Sequence, residues 1–202
     1  MSVPTIGILG GVGSGKSSIV RQVTGFQLHI IDADKIGHEL LQKPTVLKQL
    51  RQSFPTSIFS SSGRVIRSQL ARKVFGETVD HHSARSQLEQ IIHPEILREI
   101  KTQIRTVPVG VDAVIVDAAV LLETGWVNEC DHLVYIDTPE AQRIERVKSS
   151  RNWSAEELER RECTQLPLEE KRQRADFIVD NSASLEQAVQ QLTGILHTLV
   201  TL

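Results

Sequence analysis

A glycine-rich loop close to the start of the chain restricts its fold more than any other feature. The apolar residues 6–9 lead directly into Gly-Gly-Val-Gly-Ser-Gly-Lys-Ser, which occupies residues 10–17. This spacing matches the phosphate-loop pattern, in which the loop joins a buried strand to the first turn of a helix. The sequence therefore predicts a strand, a loop and a helix, in that order, within an α/β sheet.

The chemistry of this loop predicts that it binds the phosphates of a nucleoside triphosphate. Glycines adopt backbone angles closed to other residues, so consecutive amide groups can turn inward around phosphate oxygens. Lys16 adds a positive charge, a helix beginning near Ser17 points its positive dipole end at the same place, and the Ser17 hydroxyl can bind Mg²⁺. The loop residues predicted to bind the nucleotide are Gly11, Val12, Gly13, Ser14, Gly15, Lys16, Ser17 and Ser18.

Composition limits the partners and the compartment. The formal net charge is only −2, so we expect neither nucleic acid nor a membrane surface as a partner. No apolar run reaches the roughly 18 residues that span a membrane. The N-terminus lacks the basic and apolar stretches of a secretion signal, and the two cysteines, Cys130 and Cys163, lie far apart. We therefore expect a cytoplasmic protein with reduced thiols.

Five short apolar runs predict a parallel sheet. They are rich in branched residues and do not alternate clearly with polar ones, which is typical of strands buried on both faces. Helical stretches separate them, as in an α/β fold whose ligands bind at the carboxyl ends of the strands. The predicted strands are Thr5–Leu9, Leu28–Asp32, Ala113–Asp117, His132–Asp137 and 177–179.

The interval between the second and third predicted strands is different, because it contains no convincing strand. It holds amphipathic stretches around 45–53, 67–75, 83–92 and 95–104, with a turn at Ser60-Ser61-Ser62-Gly63. We expect a helical insertion at about 36–105 within a single domain of residues 1–202. The insertion is either an elaboration of the core or a subdomain that binds a second substrate.

A charged segment follows the fourth predicted strand. Residues 143–174 hold nine of the 23 Lys and Arg residues and seven acids. Ser154 and Glu157 form a capping box, and Glu157 precedes Arg161 by one helical turn, so much of this charge fits a solvated helix. Short helices near a triphosphate site often close over it, and we expect a lid at about 144–170.

The remaining motifs favour a kinase over other phosphate-loop proteins. No Asn is followed by Lys, which argues against the guanine-binding segment of switch GTPases. The third predicted strand ends in Asp117 followed by two alanines, so the Asp-Glu pair of many motor and transporter ATPases is missing. A small kinase, which shields the γ-phosphoryl group from water and transfers it to a hydroxyl, fits better.

Two carboxylates lie where the second predicted strand ends. Asp32 and Asp34 are two residues apart, so in an extended chain their side chains would point the same way. Asp34 can then act as catalytic base toward the acceptor hydroxyl, and Asp32 can help to hold Mg²⁺ together with Ser17. N-capping of the following helix is the simpler role for either carboxylate, and it is compatible with catalysis.

These features together resemble the dephospho-coenzyme A kinase family. The likeness runs over most of the chain, and its order and spacing agree. The most selective segments are Leu-Leu-Glu-Thr-Gly, Pro-Leu-Glu-Glu-Lys and Asp-Asn-Ser. All the matching segments, including these three, lie at residues 10–17, 31–34, 67–75, 92–94, 121–125, 165–171, 175–176 and 180–182.

The resemblance implies ATP-dependent phosphorylation of the ribose 3′-hydroxyl of dephospho-coenzyme A, the last step of coenzyme A synthesis, with Mg²⁺ as cofactor. Asp34 matches the family's catalytic base, and Lys16 and Ser17 match its phosphate and magnesium contacts. The resemblance further implies a catalytic lid arginine at Arg146, substrate contacts at His93, Arg151 and Arg161, and an adenine contact at Asn181. Two alternatives remain open: a nucleoside monophosphate kinase of the same fold, and a nucleotide-binding regulator without turnover.

Overall fold

The computed structural model of the chain describes residues 3–200, which form two compact units. The sheet unit contains residues 3–32 and 103–200, and the helical unit contains residues 33–102. The strands are β1 (Thr5–Leu9), β2 (Leu28–Asp32), β3 (Ala113–Asp117), β4 (His132–Asp137) and β5 (Phe177–Asp180). The helices are α1 (Lys16–Gln22), α2 (Ala33–Leu40), α3 (Pro44–Ser53), α4 (Arg67–Val74), α5 (Val79–Arg105), α6 (Glu140–Arg151), α7 (Ala155–Glu162), α8 (Leu168–Gln173) and α9 (Leu185–Val200). None of these helices combines the length and apolarity that a membrane crossing requires.

The sheet unit is built on parallel strands in the order β2-β3-β1-β4-β5. The predicted five-stranded parallel sheet is therefore confirmed. Every residue of the central strand β1 is buried, as expected, but β2 and β5 are partly exposed. The expectation of strands buried on both faces is wrong for these two, because a strand at the sheet edge has a neighbour on one side only.

Packing holds the central strand from both faces. On one face, Ile6 and Ile8 of β1 belong to a buried cluster that includes Ile19 of α1 and Leu192 of α9. On the other face, a Cβ atom at Gly7 would lie 2.6 Å from a Leu121 methyl group, so glycine permits the close approach there. The carboxyl end of β1, where the phosphate loop begins, is thus rigidly supported.

The helical unit has its own apolar core. Val46 and Leu50 of α3, Leu70 of α4, and Ile96 and Ile100 of α5 are all buried. The predicted turn at 60–63 is present: the Gly63 amide donates to the Ser60 carbonyl at 2.8 Å, and Gly63 has φ of +78°. The expected helical insertion overlaps this unit.

The last two predicted stretches of the insertion are one helix. The sequence predicts separate segments at 83–92 and 95–104, but α5 runs for 27 residues with Pro94 inside it. Proline removes one backbone donor and crowds the preceding turn, which usually breaks a helix. Here Ile91, Ile92 and Ile96 are buried on both sides of Pro94, and this packing stabilises the continuous helix.

Candidate active site

The phosphate loop has the backbone geometry that its glycines allow. Gly10, Gly13 and Gly15 have φ of +144°, +77° and +89°, angles that side chains disfavour. The loop follows β1 directly, and Lys16 is the first residue of α1. A strand, a loop and a helix therefore follow one another as the sequence predicts. The positive end of the α1 dipole lies at the end of the loop.

Lys16 places its ammonium group over the first residues of the loop. Its Nζ donates to the carbonyl oxygens of Gly10 at 3.0 Å and Gly11 at 3.2 Å. The side chain thus bends back from the helix start toward the beginning of the loop. This arrangement brings a positive charge beside a glycine-rich backbone whose amide groups can donate to phosphate oxygens.

One carbonyl of the loop accepts three side-chain donors. The Ser14 carbonyl oxygen accepts from Thr138 Oγ1 at 2.9 Å, Arg146 Nη1 at 3.1 Å and Asn181 Nδ2 at 2.8 Å. Ser14 and Asn181 are each 1% exposed. The donors follow β4, lie on α6 and follow β5, so three segments converge on one loop residue. Arg146, predicted as a catalytic lid arginine, and Asn181, predicted as an adenine contact, both lie beside the loop.

Replacing Thr138 by valine tests this support of the loop. Valine has nearly the same shape but removes the hydroxyl, which donates to Ser14 and accepts from Asn181 at 3.3 Å, while Arg146 and Asn181 still donate to Ser14. We expect a loss of roughly 1 kcal/mol in the free energy of unfolding. ATP binding should weaken by up to about fivefold. Urea unfolding measures the first quantity and calorimetric ATP titration the second. Thr198→Val, which removes an exposed hydroxyl on α9, is the control. Unchanged values for Thr138→Val would contradict the role.

Two carboxylates end neighbouring strands, Asp32 in β2 and Asp117 in β3, and Ser17 of α1 contacts the second of them. The Ser17 hydroxyl donates to Asp117 Oδ2 at 2.5 Å, and Asp117 is the register partner of Asp32 in the sheet. Asp32 also lies 3.8 Å from the Arg21 guanidinium. Carboxylate and hydroxyl oxygens are the donors that Mg²⁺ prefers, so this set suits a magnesium site.

Asp34 stands in a different local structure from the predicted one. The chain does not stay extended after Asp32, because α2 begins at Ala33 and Asp34 lies in its first turn. The expectation that both carboxylates share one face of an extended segment is therefore wrong. Side chains two residues apart share a face in a strand but not in a helix, so Asp34 does not point the same way as Asp32. At the start of α2, the helix dipole stabilises its negative charge.

Two of the three predicted lid arginines, Arg151 and Arg161, lie around one aromatic ring. The guanidinium carbons of Arg161 and Arg151 lie 4.1 Å and 4.8 Å from the centre of the Trp153 ring. Arg161 also donates from Nε to the Glu157 carboxylate at 2.8 Å. Ser154 accepts the Glu157 amide and caps α7, as the capping box predicts. The indole face and the carboxylate together restrict where Arg161 can point.

A sequence model of the dephospho-CoA kinase family matches residues 4–187. The chain belongs to the dephospho-CoA kinase family. Dephospho-CoA kinases of Carboxydothermus hydrogenoformans and Corynebacterium diphtheriae are 32% and 33% identical to it. These alignments cover 96% and 93% of this chain and 94% of each relative.

Solved structures share the fold of this chain. TT1252 from Thermus thermophilus has a TM-score of 0.78 at 28% identity, over 98% of this chain and 99% of that one. A dephospho-CoA kinase from Campylobacter jejuni has a TM-score of 0.70 at 23% identity, over 98% and 97% of the two chains. A gluconokinase from Sinorhizobium meliloti has a TM-score of 0.54 at 16% identity, over 98% of this chain and 94% of that one, and shares the fold alone. The resemblance predicted from sequence and the assignment as a kinase are confirmed.

Two segments of the dephospho-CoA kinase resemblance contact each other through a buried ion pair. Lys171 is 2% exposed, and its ammonium lies 2.8 Å from the Glu123 carboxylate. Lys171 also donates to the Gln165 side chain at 2.8 Å, while Glu123 accepts the Leu166 amide at 2.8 Å. Glu123 thus joins the segment after β3 to the turn that leads into α8. We assign it a structural contact here rather than a substrate contact.

His93 lies in the middle of α5, in the helical unit. Burial lowers the pKa of its imidazole, the nearby Glu89 carboxylate opposes this shift, and the Arg85 guanidinium adds to it. The imidazole is therefore neutral at neutral pH and offers one donor and one acceptor. Its contact with substrate remains a prediction.

Sequence reasoning gave too little weight to Asp117 in this dephospho-CoA kinase family member. An Asp closes the third apolar strand, but the resemblance to the family does not by itself imply a metal role for it. Its contact with Ser17 could not be predicted from one sequence, because the two residues are 100 positions apart. The structure adds Asp117 to the candidate metal ligands.

Proposed function

We propose that this chain transfers the γ-phosphoryl group of ATP to the ribose 3′-hydroxyl of dephospho-CoA, giving CoA and ADP. The observation that carries this proposal is the extent of the family match, which includes the phosphate loop and the whole helical unit. A phosphate loop alone does not select the acceptor, because the same fold occurs in a gluconokinase. We propose that the helical unit binds the acceptor.

Asp34 serves as the base in the proposed reaction. The 3′-oxygen forms a bond to the γ-phosphorus while the bond from that phosphorus to the β–γ bridging oxygen breaks, and ADP leaves. Asp34 accepts the hydroxyl proton and later releases it to solvent. Because the transition state of phosphoryl transfer is loose, Asp34 chiefly orients the hydroxyl and receives its proton late.

Positive side chains stabilise the transferring phosphoryl group in this mechanism. Lys16, already bent over the loop, neutralises charge on the β- and γ-phosphates. Arg146 and Arg161 approach from the predicted lid, and Arg151 contributes to the same basic surface. We propose His93 and Asp32 as further contacts on the acceptor side, and Asn181 as a residue that borders the nucleotide.

The residues at the carboxyl ends of β2 and β3 fit a magnesium ion. Ser17 and Asp117 are already joined through their oxygens, and Asp32 is the neighbour of Asp117 in register. When bound, Mg²⁺ would neutralise charge on the β- and γ-phosphates. We propose that Ser17, Asp32 and Asp117 hold it, directly or through water.

Asp117→Asn tests these ligands. The amide keeps the shape of the side chain but removes a negative charge beside Ser17. We expect the Mg²⁺ concentration for half-maximal turnover to rise roughly ten- to a hundredfold, measured by Mg²⁺ titration at fixed ATP. Asp137→Asn is the control, because Asp137 also ends a strand at this sheet edge but pairs with Arg172. An equal shift in both variants, or in neither, would contradict the assignment.

A panel of acceptors tests the proposed function. ADP release is measured with Mg²⁺ and ATP in the presence of dephospho-CoA, AMP, pantothenate or no acceptor. We expect release above background with dephospho-CoA only. Preference for AMP would favour a nucleoside monophosphate kinase. ATP binding without turnover on any acceptor would favour a nucleotide-binding regulator.

A further inference from the structure

A buried ion pair joins two helices of the predicted lid region. Arg143 of α6 is 4% exposed, and its guanidinium contacts the carboxylate of Glu162, the last residue of α7. Arg143 Nε also donates to the Thr138 carbonyl at 3.3 Å. A buried guanidinium with these partners has little freedom to move, and it fixes where Glu162 lies.

The same Glu162 carboxylate contacts the phosphate loop. Its Oε1 accepts the backbone amide of Val12 at 3.0 Å, so an amide of a residue predicted to bind the nucleotide donates to α7 in this structure. A Cβ atom at Gly11 would lie 2.9 Å both from Arg143 Nη1 and from Glu162 Oε1. The absence of a side chain at Gly11 therefore makes room for the ion pair against the loop backbone. Because Arg143 balances the charge of Glu162, the contact adds no net negative charge beside a site for phosphates.

The residue next to Glu162 in α7 is Arg161, one of the proposed lid arginines. Arg161 is restricted by the Trp153 ring and by Glu157, both in the same segment. These contacts orient Arg161 relative to α7, but they do not tie α7 to the loop. The Glu162 contact with Val12 supplies that connection, immediately beside Arg161 in the chain.

We propose that Glu162 is a positioning residue: by binding the Val12 amide and Arg143, it fixes the end of α7 against the phosphate loop and so places Arg161 for phosphoryl transfer. This inference rests on the proposed function. An error of about 1 Å in the place of a catalytic group can lower a rate a hundredfold, so a contact of this kind controls turnover without touching substrate.

The kinetic test uses Glu162→Ala and Glu162→Gln. We expect Glu162→Ala to lower kcat about tenfold or more, with a change of less than about threefold in the KM for ATP, since loop and Lys16 remain. Glu162→Gln keeps an oxygen acceptor for Val12 and should lie between Glu162→Ala and wild type, which guards against poor folding of the alanine variant. Glu159→Ala, exposed on the same helix, is the control and should match wild type.

A double-mutant cycle separates positioning from general structural support. If Glu162 acts through Arg161, its replacement by alanine in an Arg161→Ala background should change kcat by less than about twofold. A merely structural residue would lower kcat by the same factor in both backgrounds. Wild-type kcat in Glu162→Ala, or the full factor retained without Arg161, would overturn the inference.

Amide hydrogen exchange tests the contact without any acceptor. In the nucleotide-free protein, Glu162→Ala should accelerate exchange both in a peptide that includes Val12 and in one that covers α7, whereas Glu159→Ala should leave the Val12 peptide unchanged. Unchanged exchange of the Val12 peptide in Glu162→Ala would overturn the inference even if the enzyme is active. Wild-type protein that makes no CoA, with exchange as predicted, would instead overturn the proposed function and leave Glu162 as a loop contact only.

Discussion

Replacing Asp34 by asparagine is expected to lower kcat for phosphorylation of dephospho-CoA about a hundred- to ten-thousandfold, the range for loss of a general base. The amide has nearly the same shape, but it does not accept the hydroxyl proton. ATP affinity should stay nearly unchanged, because the substitution leaves the phosphate loop and Lys16, the proposed ATP contacts, as they are. Steady-state kinetics and calorimetric ATP titration measure the two quantities separately.

Glu39→Gln provides the matched control for Asp34→Asn. Glu39 lies on the same helix, loses the same charge, and forms an exposed pair with Lys35 at 3.9 Å. We expect this variant to turn over like wild type. Turnover near that of wild type in Asp34→Asn would remove Asp34 as the base, whatever the effect of Glu39→Gln.

The second large effect concerns stability. Replacing Glu123 by leucine should lower the free energy of unfolding by about 3–5 kcal/mol, because it leaves the Lys171 ammonium buried without its carboxylate partner. For a chain of this size, this corresponds to a fall of roughly 10 °C in Tm. Differential scanning calorimetry and urea unfolding measure the change. The Leu166 amide also loses its acceptor, which adds to the loss.

The double variant Glu123→Leu/Lys171→Met shows whether the buried charge is the cause. With both charges removed, apolar side chains occupy the same space, and we expect part of the lost stability to return. The exposed pair of Lys35 and Glu39 serves for comparison, since breaking it should cost less than about 1 kcal/mol. The explanation would be wrong if Glu123→Leu had the Tm of wild type. It would also be wrong if the double variant lost more free energy of unfolding than the sum of the losses in Glu123→Leu and in Lys171→Met alone.

The strands were predictable because local signals and tertiary structure agree. Each is a short run of branched apolar residues, and β1 is followed by a loop pattern that requires a strand before it and a helix after it. The continuous α5 was not predictable, because Pro94 is a local signal to stop. The burial of Ile92 and Ile96, which depends on the rest of the unit, outweighs it.

The candidate site was predictable where it is local in sequence, as in residues 10–17. It was not predictable where residues distant in sequence meet. Asn181 and Ser14 are 167 positions apart, Val12 and Glu162 are 150 positions apart, and nothing in either segment specifies the other. The mistaken geometry of Asp32 and Asp34 has a related cause: β2 ends at Asp32 and α2 begins at Ala33, so the chain is helical rather than extended at Asp34.

The position of the transferred phosphoryl group tests the central claim most directly. Purified protein is incubated with Mg²⁺, ATP and dephospho-CoA, and the product is characterised by mass spectrometry and phosphorus NMR. We predict that dephospho-CoA is phosphorylated at its ribose 3′-oxygen, so that CoA and ADP form in equal amounts. Formation of ADP without CoA, or a product phosphorylated at another oxygen, would contradict the account.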